Sequence, residues 1–291
     1  YSICGEMLRF PLADINHNKV LPLMTSKRVA FRWVYEELIW FLRGSTTNTY
    51  LKNAGVSIWN DNGTREFLDK RGLKDYDEGE LGPIYGFQWR YFGAKYISNK
   101  TARELDMSDH DRIKYYKENG IDQISAVINS IKTDPFGRRH IISAWNPCDL
   151  EKMALPPCHY NCVFVVEKSP VDPTKLQLSC AANMRSADMF LGVPFNIASY
   201  SLLTQMIAMV CGIEAKELVL VMVDAHVYTD HVAAVHEYTS RRGFGFPKIT
   251  FSECIQRKKS SNVLTIDDFA PDSIVLSDYY CEPPISAKMA V

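Results

Sequence analysis

At 291 residues, 46% hydrophobic and 23% charged, the chain has an ordinary globular composition and enough length to bury a sizeable core. A formal net charge of −1 at pH 7 excludes a global electrostatic pull toward nucleic acid or an anionic membrane. The eight cysteines, scattered from Cys4 to Cys281, do not have the spacing of a disulfide framework, so a reducing setting is expected, cytoplasmic or alternatively nuclear.

The chain opens at Tyr1 without a basic-then-apolar leader, and further residues upstream are expected. "VAFRWVYEELIWFLRGSTTNTYLKNAGVSIW" (29–59) predicts a long amphipathic helix, a stop at Gly44, a short helix and an apolar exit. Within it Glu37 falls on an apolar helix face, where a buried carboxylate needs a reason. Residues 93–120 are strongly polar and predict a surface excursion; 121–135 has helical periodicity and stops at Pro135. "RRHIISAWN", "CHYNCVFVVE" and "KLQLSCAANMRS" then predict strands. Residues 197–213 predict a buried core helix, too short and too interrupted by polar residues to span a bilayer. "ELVLVMVDAHVY" (217–228) predicts another strand, with Asp224, His226 and Tyr228 on one face. Helices and strands mix without regular βαβ alternation. The expectation is a single α+β domain over 1–291, with a large mixed sheet packed against long helices.

The chemistry concentrates around "MALPPCHY" (153–160), where two prolines precede Cys158 and His159. Three readings compete: a buried structural thiol, a metal ligand, and a nucleophile held at a fixed angle. The pattern C-H-x-x-C formed with Cys162 fits neither haem attachment nor a zinc knuckle, and a strand would send Cys158 and His159 to opposite faces. No metal is expected. A reactive thiol needs positive charge or donors nearby. "RRH" (138–140) and "MRS" (184–186) offer them, and an Arg beside a Ser also suits a phosphate dianion. Asn196 reads as the N-cap of the buried helix or as an amide able to read a base edge bearing one donor and one acceptor.

Taken together, these segments resemble the thymidylate synthase family. The resemblance runs from residue 2 to Val291 through "PLMTSKRV", "EELIWFLRGST", "LGPIYGFQWR", "RRHIISAWNP", "MALPPCH", "RSADMFLGVPFNIASY", "DAHVY" and "FPK", in that order. The polar insertion 66–80 looks like the eukaryotic-type form. The resemblance implies conversion of dUMP to dTMP, with 5,10-methylenetetrahydrofolate supplying the one-carbon unit and a hydride. It implies a homodimer whose interface is one face of the sheet. Cys158 would add to the pyrimidine C6, the prolines fixing its approach to the flat ring. Glu37, Tyr85 and His159 would manage protons, and Asn196 the uracil amide edge. Arg185 and Ser186, with Arg138 and Arg139 of the other subunit, would hold the phosphate; His226 and Tyr228 would bind the sugar hydroxyl. The folate would meet Ile58, Trp59, Asn62, Asp188, Leu191, Gly192 and Phe195, with Met289 and Val291 of the tail closing over it.

The chain departs from the family pattern at Asn183-Met184, where Tyr-Gln is usual, and at Val223, where Gly is usual; the phosphate loop expected upstream of Tyr1 is not in it. Two further readings follow. One is a uracil-specific hydroxymethylase of the same fold, against which Trp59, Asn62 and Val291 argue. The other is a messenger-RNA-binding regulator, against which "QRKKSS" (256–261) and Arg241-Arg242 argue, being basic without interleaved aromatics.

Overall fold

The computed structural model describes residues 1–288. Strands β1 (Ser2–Pro11), β2 (Ile141–Ser143), β3 (His159–Lys168), β4 (Leu176–Met184), β5 (Ala187–Asp188) and β6 (Glu214–His226) form one sheet in the order β1-β6-β4-β3-β2, with β5 beside β6. The β4–β6 and β5–β6 pairs are parallel and the others antiparallel, so the sheet is mixed as expected. Between β1 and β2 run α1 (Phe31–Leu42), α2 (Thr49–Asn53), α3 (Arg65–Lys70), α4 (Tyr85–Tyr91), α5 (Asn99–Glu104), α6 (Asp109–Asn119) and α7 (Gln123–Thr133). Helix α8 (Gly192–Cys211) connects β5 to β6, and α9 (Val232–Ser240), β7 (Lys248–Phe251), α10 (Glu253–Ser260) and β8 (Ile274–Ser277) complete the order, β7 and β8 forming a separate antiparallel pair.

Strand alternation builds the core. Cys162, Phe164 and Val166 of β3, Leu178, Cys180, Ala182 and Met184 of β4, and Leu218, Leu220 and Met222 of β6 are all buried on one face. That face meets α8, which in turn packs on α1 and α7. Helix α8 is long and apolar enough to cross a membrane, yet 89% of its most apolar window is buried within the protein. It is a core helix. The opposite sheet face carries the other register, with Ile141, Val163, Ala181 and Val219 aligned across four strands and Asn161 hydrogen-bonded to Asn183 at 2.6 Å.

Several boundaries differ from expectation. Helix α8 begins at Gly192, five residues before the predicted start, because Pro194 lies in its first turn, where a missing N–H costs nothing. Only three residues of the strand predicted over 138–146 pair. The side-chain amide of Gln123 accepts from Ser143 N at 2.9 Å and donates to Ser143 O at 2.8 Å, replacing a neighbouring strand. Strand β6 ends at His226, so Tyr228 lies beyond it, just before the turn Thr229–His231. Residues 2–11, to which periodicity assigns no element, form β1, an edge strand mostly exposed and hence without an apolar alternation.

The polar excursion 93–120 is more ordered than its composition suggests. Ser98 and Ser108 cap α5 and α6, accepting from Thr101 N at 3.1 Å and Asp111 N at 3.2 Å. Tyr96, Ile97, Ala102 and Tyr116 close a second small core against Phe87 and Tyr91 of α4. The Tyr116 hydroxyl both accepts from Ile97 N and donates to Ile97 O, each at 3.0 Å. Tyr116→Phe strands both backbone groups in a buried site and is expected to cost about 1–3 kcal/mol. A thermal melt should fall by several degrees, and amide exchange should accelerate at Ile97 while α8 stays protected.

Candidate active site

The two prolines act through their carbonyl groups. Arg185, one residue past β4, donates from Nη2 to Pro156 O at 3.0 Å and from Nε to Pro157 O at 2.9 Å. Its backbone N–H donates to Cys158 O at 2.9 Å, while Cys158 N donates to the Tyr85 hydroxyl at 2.8 Å. The thiol-bearing residue is thus held from both sides, and Arg185 Nη2 stands 4.0 Å from its Sγ. Trp145 backs the guanidinium at 5.7 Å. Burial raises the Cys158 thiol above its ordinary value, with Arg185 and Tyr85 pulling it back down.

His159 faces inward, opposite in direction to Cys158. Its Nδ1 lies 2.8 Å from the Tyr200 hydroxyl, and its ring stacks on Tyr85 at 4.2 Å. Burial depresses it to about 3, so the imidazole is neutral at physiological pH. It is not the cation that activates the thiol. Among the described residues no group of three or more His, Cys, Asp or Glu is placed to hold a metal.

Glu37 and Tyr85 meet because α1 and α4 approach closely. At Gly86 a Cβ would come within 2.4 Å of Phe41 O, so only glycine permits the contact. Glu37 is buried, accepts from Trp59 Nε1 at 2.7 Å, and is pushed up to about 7 by desolvation against that hydrogen bond. Trp59 packs on Tyr85 at 5.9 Å. Cys158, Tyr85, Glu37, Trp59 and His159 therefore form one connected cluster.

Asn196 is not the cap of α8. Leu191 occupies that position, and the half-buried Asn196 amide makes no hydrogen bond among the described residues. Gly192 leaves room beside it, since a Cβ there would lie 3.7 Å from both Asn196 Oδ1 and Asp188 Cβ. Asp188 Oδ1 accepts from Phe190 N at 3.0 Å and Leu191 N at 3.2 Å, fixing the approach to the helix. Tyr228 packs edge-on against His226 at 5.1 Å, and the charges of Asp188 and Cys158 are among those acting on its hydroxyl. Ser186, Leu191 and Phe195 are half-buried beside these groups in sequence, whereas Ile58 and Asn62 flank Trp59 in the turn before α3. Arg138 and Arg139 are exposed in the α7–β2 loop, and no hydrogen bond or ion pair among the described residues ties them to Cys158. Met289 and Val291 lie outside the described residues.

Three participants escaped sequence reasoning. Tyr200 sits on α8 among apolar neighbours, and only its hydroxyl could have signalled a buried polar partner. Lys27 is buried over the Phe190 ring at 3.8 Å, donates to Phe190 O, and is pushed down to about 8 by burial. His231 Nε2 lies 2.7 Å from Lys288 O and its ring is 5.5 Å from Tyr228, linking the last described residue to that tyrosine.

A family model described as thymidylate synthase matches residues 1–291. The chain belongs to the thymidylate synthase family. It is 47% identical over 284 residues to a "Probable thymidylate synthase" of Schizosaccharomyces pombe, covering 98% of this chain and 42% of that protein. It is 47% identical over 286 residues to a "Thymidylate synthase" of Saccharomyces cerevisiae, covering 98% and 86%. A "Bifunctional dihydrofolate reductase-thymidylate synthase" of Leishmania major is 44% identical over 290 residues, covering 100% of this chain and 50% of that protein. The chain thus spans less than half of the first relative, most of the second and half of the third.

The raised Glu37 carboxyl has a sign-definite consequence. Between pH 4.5 and about 7 the folded chain keeps a proton there that the unfolded chain has released, so this contribution to stability is lost as pH rises through the window. The loss should approach about 3 kcal/mol. Glu37→Gln is expected to flatten it, as read from urea midpoints of both proteins across that pH range; parallel curves would refute the assignment.

Proposed function

We propose that this chain catalyses reductive methylation of dUMP to dTMP, with 5,10-methylenetetrahydrofolate as one-carbon and hydride donor. The observation that carries the reading is Cys158 held between Tyr85 and Arg185, with Sγ 4.0 Å from the guanidinium. Cys158 adds through sulfur to C6 of the pyrimidine, and Arg185 steadies the thiolate as its proton departs. Electron density moved onto the base is met by the free Asn196 amide. Glu37, poised near neutrality, exchanges protons around the base through the site's water, and Tyr85 and neutral His159 relay protons at C5. Arg185 and Ser186 take the phosphate, and His226 and Tyr228 the sugar hydroxyl. The folate, when bound, supplies the methylene and the hydride. Ile58, Trp59, Asn62, Asp188, Leu191, Gly192 and Phe195 position it, and the tail with Met289 and Val291 keeps water out.

The working unit in this proposal is a homodimer joined through the outer sheet face. Val165, Val223 and Met7 are about half exposed there, at 51%, 48% and 54%, and a second copy would cover them. Arg138 and Arg139, whose side chains make no hydrogen bond or ion pair among the described residues, then reach the other subunit's phosphate. Cys158→Ala and Arg138→Ala proteins should each be nearly inactive alone and regain activity when mixed and allowed to exchange subunits. Demonstrated exchange without recovery would refute the shared site.

The reaction itself is tested by supplying dUMP and methylenetetrahydrofolate and identifying both products. Dihydrofolate and dTMP are expected; tetrahydrofolate with a hydroxymethylated nucleotide would mean that water, not hydride, is delivered, and no turnover would leave only a binding role. Asn196→Asp probes the base reader. Because Asn196 lies inside α8, the change removes no cap. It should lower kcat/KM for dUMP by about ten- to hundredfold, the worth of one buried hydrogen bond, and raise the relative use of dCMP. An unchanged dUMP to dCMP ratio would count against this role.

A further inference from the structure

A second site lies at the other end of α8. The hairpin around Lys19 bonds to β7, with Ile249 N donating to Lys19 O at 3.0 Å and Val20 bridging Lys248. On α10, Gln256, Lys259 and Ser260 share one face at i, i+3 and i+4 spacing. These elements line an open cavity of about 630 Å³, within the range of small-ligand sites. Lys19, Lys248 and Lys259 line it, and no carboxylate does. The nearest ion-pair partner of Lys248 is Asp278, at 3.5 Å, while Lys19 and Lys259 form no ion pair among the described residues. Lys258, by contrast, is turned away and neutralised by Asp268. Part of the wall is apolar, from Phe251 and Met209.

The positive charges act on one another at Lys19, where burial first and then the charge of Lys259 favour loss of its proton, against the opposing pull of Glu214. A multiply charged anion relieves that repulsion, and point-charge lysines on separate elements suit a chain of phosphates. We propose that this cavity binds a small organic polyphosphate, its phosphates on Lys19, Lys248 and Lys259 and its organic body against Phe251. A nucleic-acid groove fits less well, because no row of exposed aromatics accompanies the lysines. Met209 and Asn196 stand thirteen residues apart on one helix, a separation of about 20 Å, so this is not the phosphate site beside Cys158.

Calorimetric titration of the whole chain with inorganic tripolyphosphate, with ATP and with a single-stranded oligonucleotide tests the proposal. Both small polyphosphates should bind saturably. Lys19→Met and Lys259→Met should each weaken them about five- to tenfold, and the double variant about thirtyfold or more. Lys258→Met and Arg185→Ala should leave this binding unchanged. The double variant should also melt higher without ligand, which separates lost contacts from lost folding. The proposal is overturned by absence of saturable binding, by equal weakening in Lys258→Met, by loss in Arg185→Ala alone, or by an oligonucleotide that outcompetes tripolyphosphate through the same lysines.

Discussion

The hold of Arg185 on the Pro156 and Pro157 carbonyls is the contact on which the rest of the site depends. Proline supplies no N–H, so a Pro-Pro pair cannot complete a strand ladder, and its two carbonyls need donors from elsewhere. A guanidinium with its donors fixed in a plane satisfies both at once and needs no flexible reach. The same grip sets Arg185 beside Sγ and fixes the strand end from which Cys158 projects. Lysine could supply the charge but not the two-point hold.

Burial gives the site its chemistry and exacts a cost in protonation. The same desolvation raises Cys158, lifts Glu37 to about 7 and drives His159 down to about 3. The raised thiol and the neutral imidazole both oppose a resting thiolate, and among the described residues only Arg185 and Tyr85 pull the other way. Glu37 gains from the same effect. A carboxyl at its ordinary value would stay ionised, whereas one near neutrality can both give and take a proton.

Much of this was legible in residue order. The strand pattern of "CHYNCVFVVE" correctly separated Cys158 from His159, and Glu37 stood out because its helix face is otherwise apolar. What the chain order hid were long-range partners: Tyr200 for His159, Trp59 for Glu37, and the proline carbonyls for Arg185, separated in sequence by 41, 22 and 28 or more residues. Local punctuation misled at two places. The buried helix was expected to open at residue 197 but already includes Pro194 in its first turn, and the strand expected over 217–228 runs instead from Glu214 to His226.

Helix α4 has two working faces. Tyr85 and Trp89, four residues apart, belong to the main core, and Tyr85 also to the Cys158 cluster; Phe87 and Tyr91, half a turn round, belong to the small core of residues 94–116. The excursion therefore packs against the back of the very helix whose front carries the thiol's backbone partner. Chain length can drift between Lys95 and Glu118 so long as the aromatic plug behind Phe87 is kept. A change that empties the plug would loosen α4 and unseat the Tyr85 hydroxyl from Cys158, with no residue of the site itself altered.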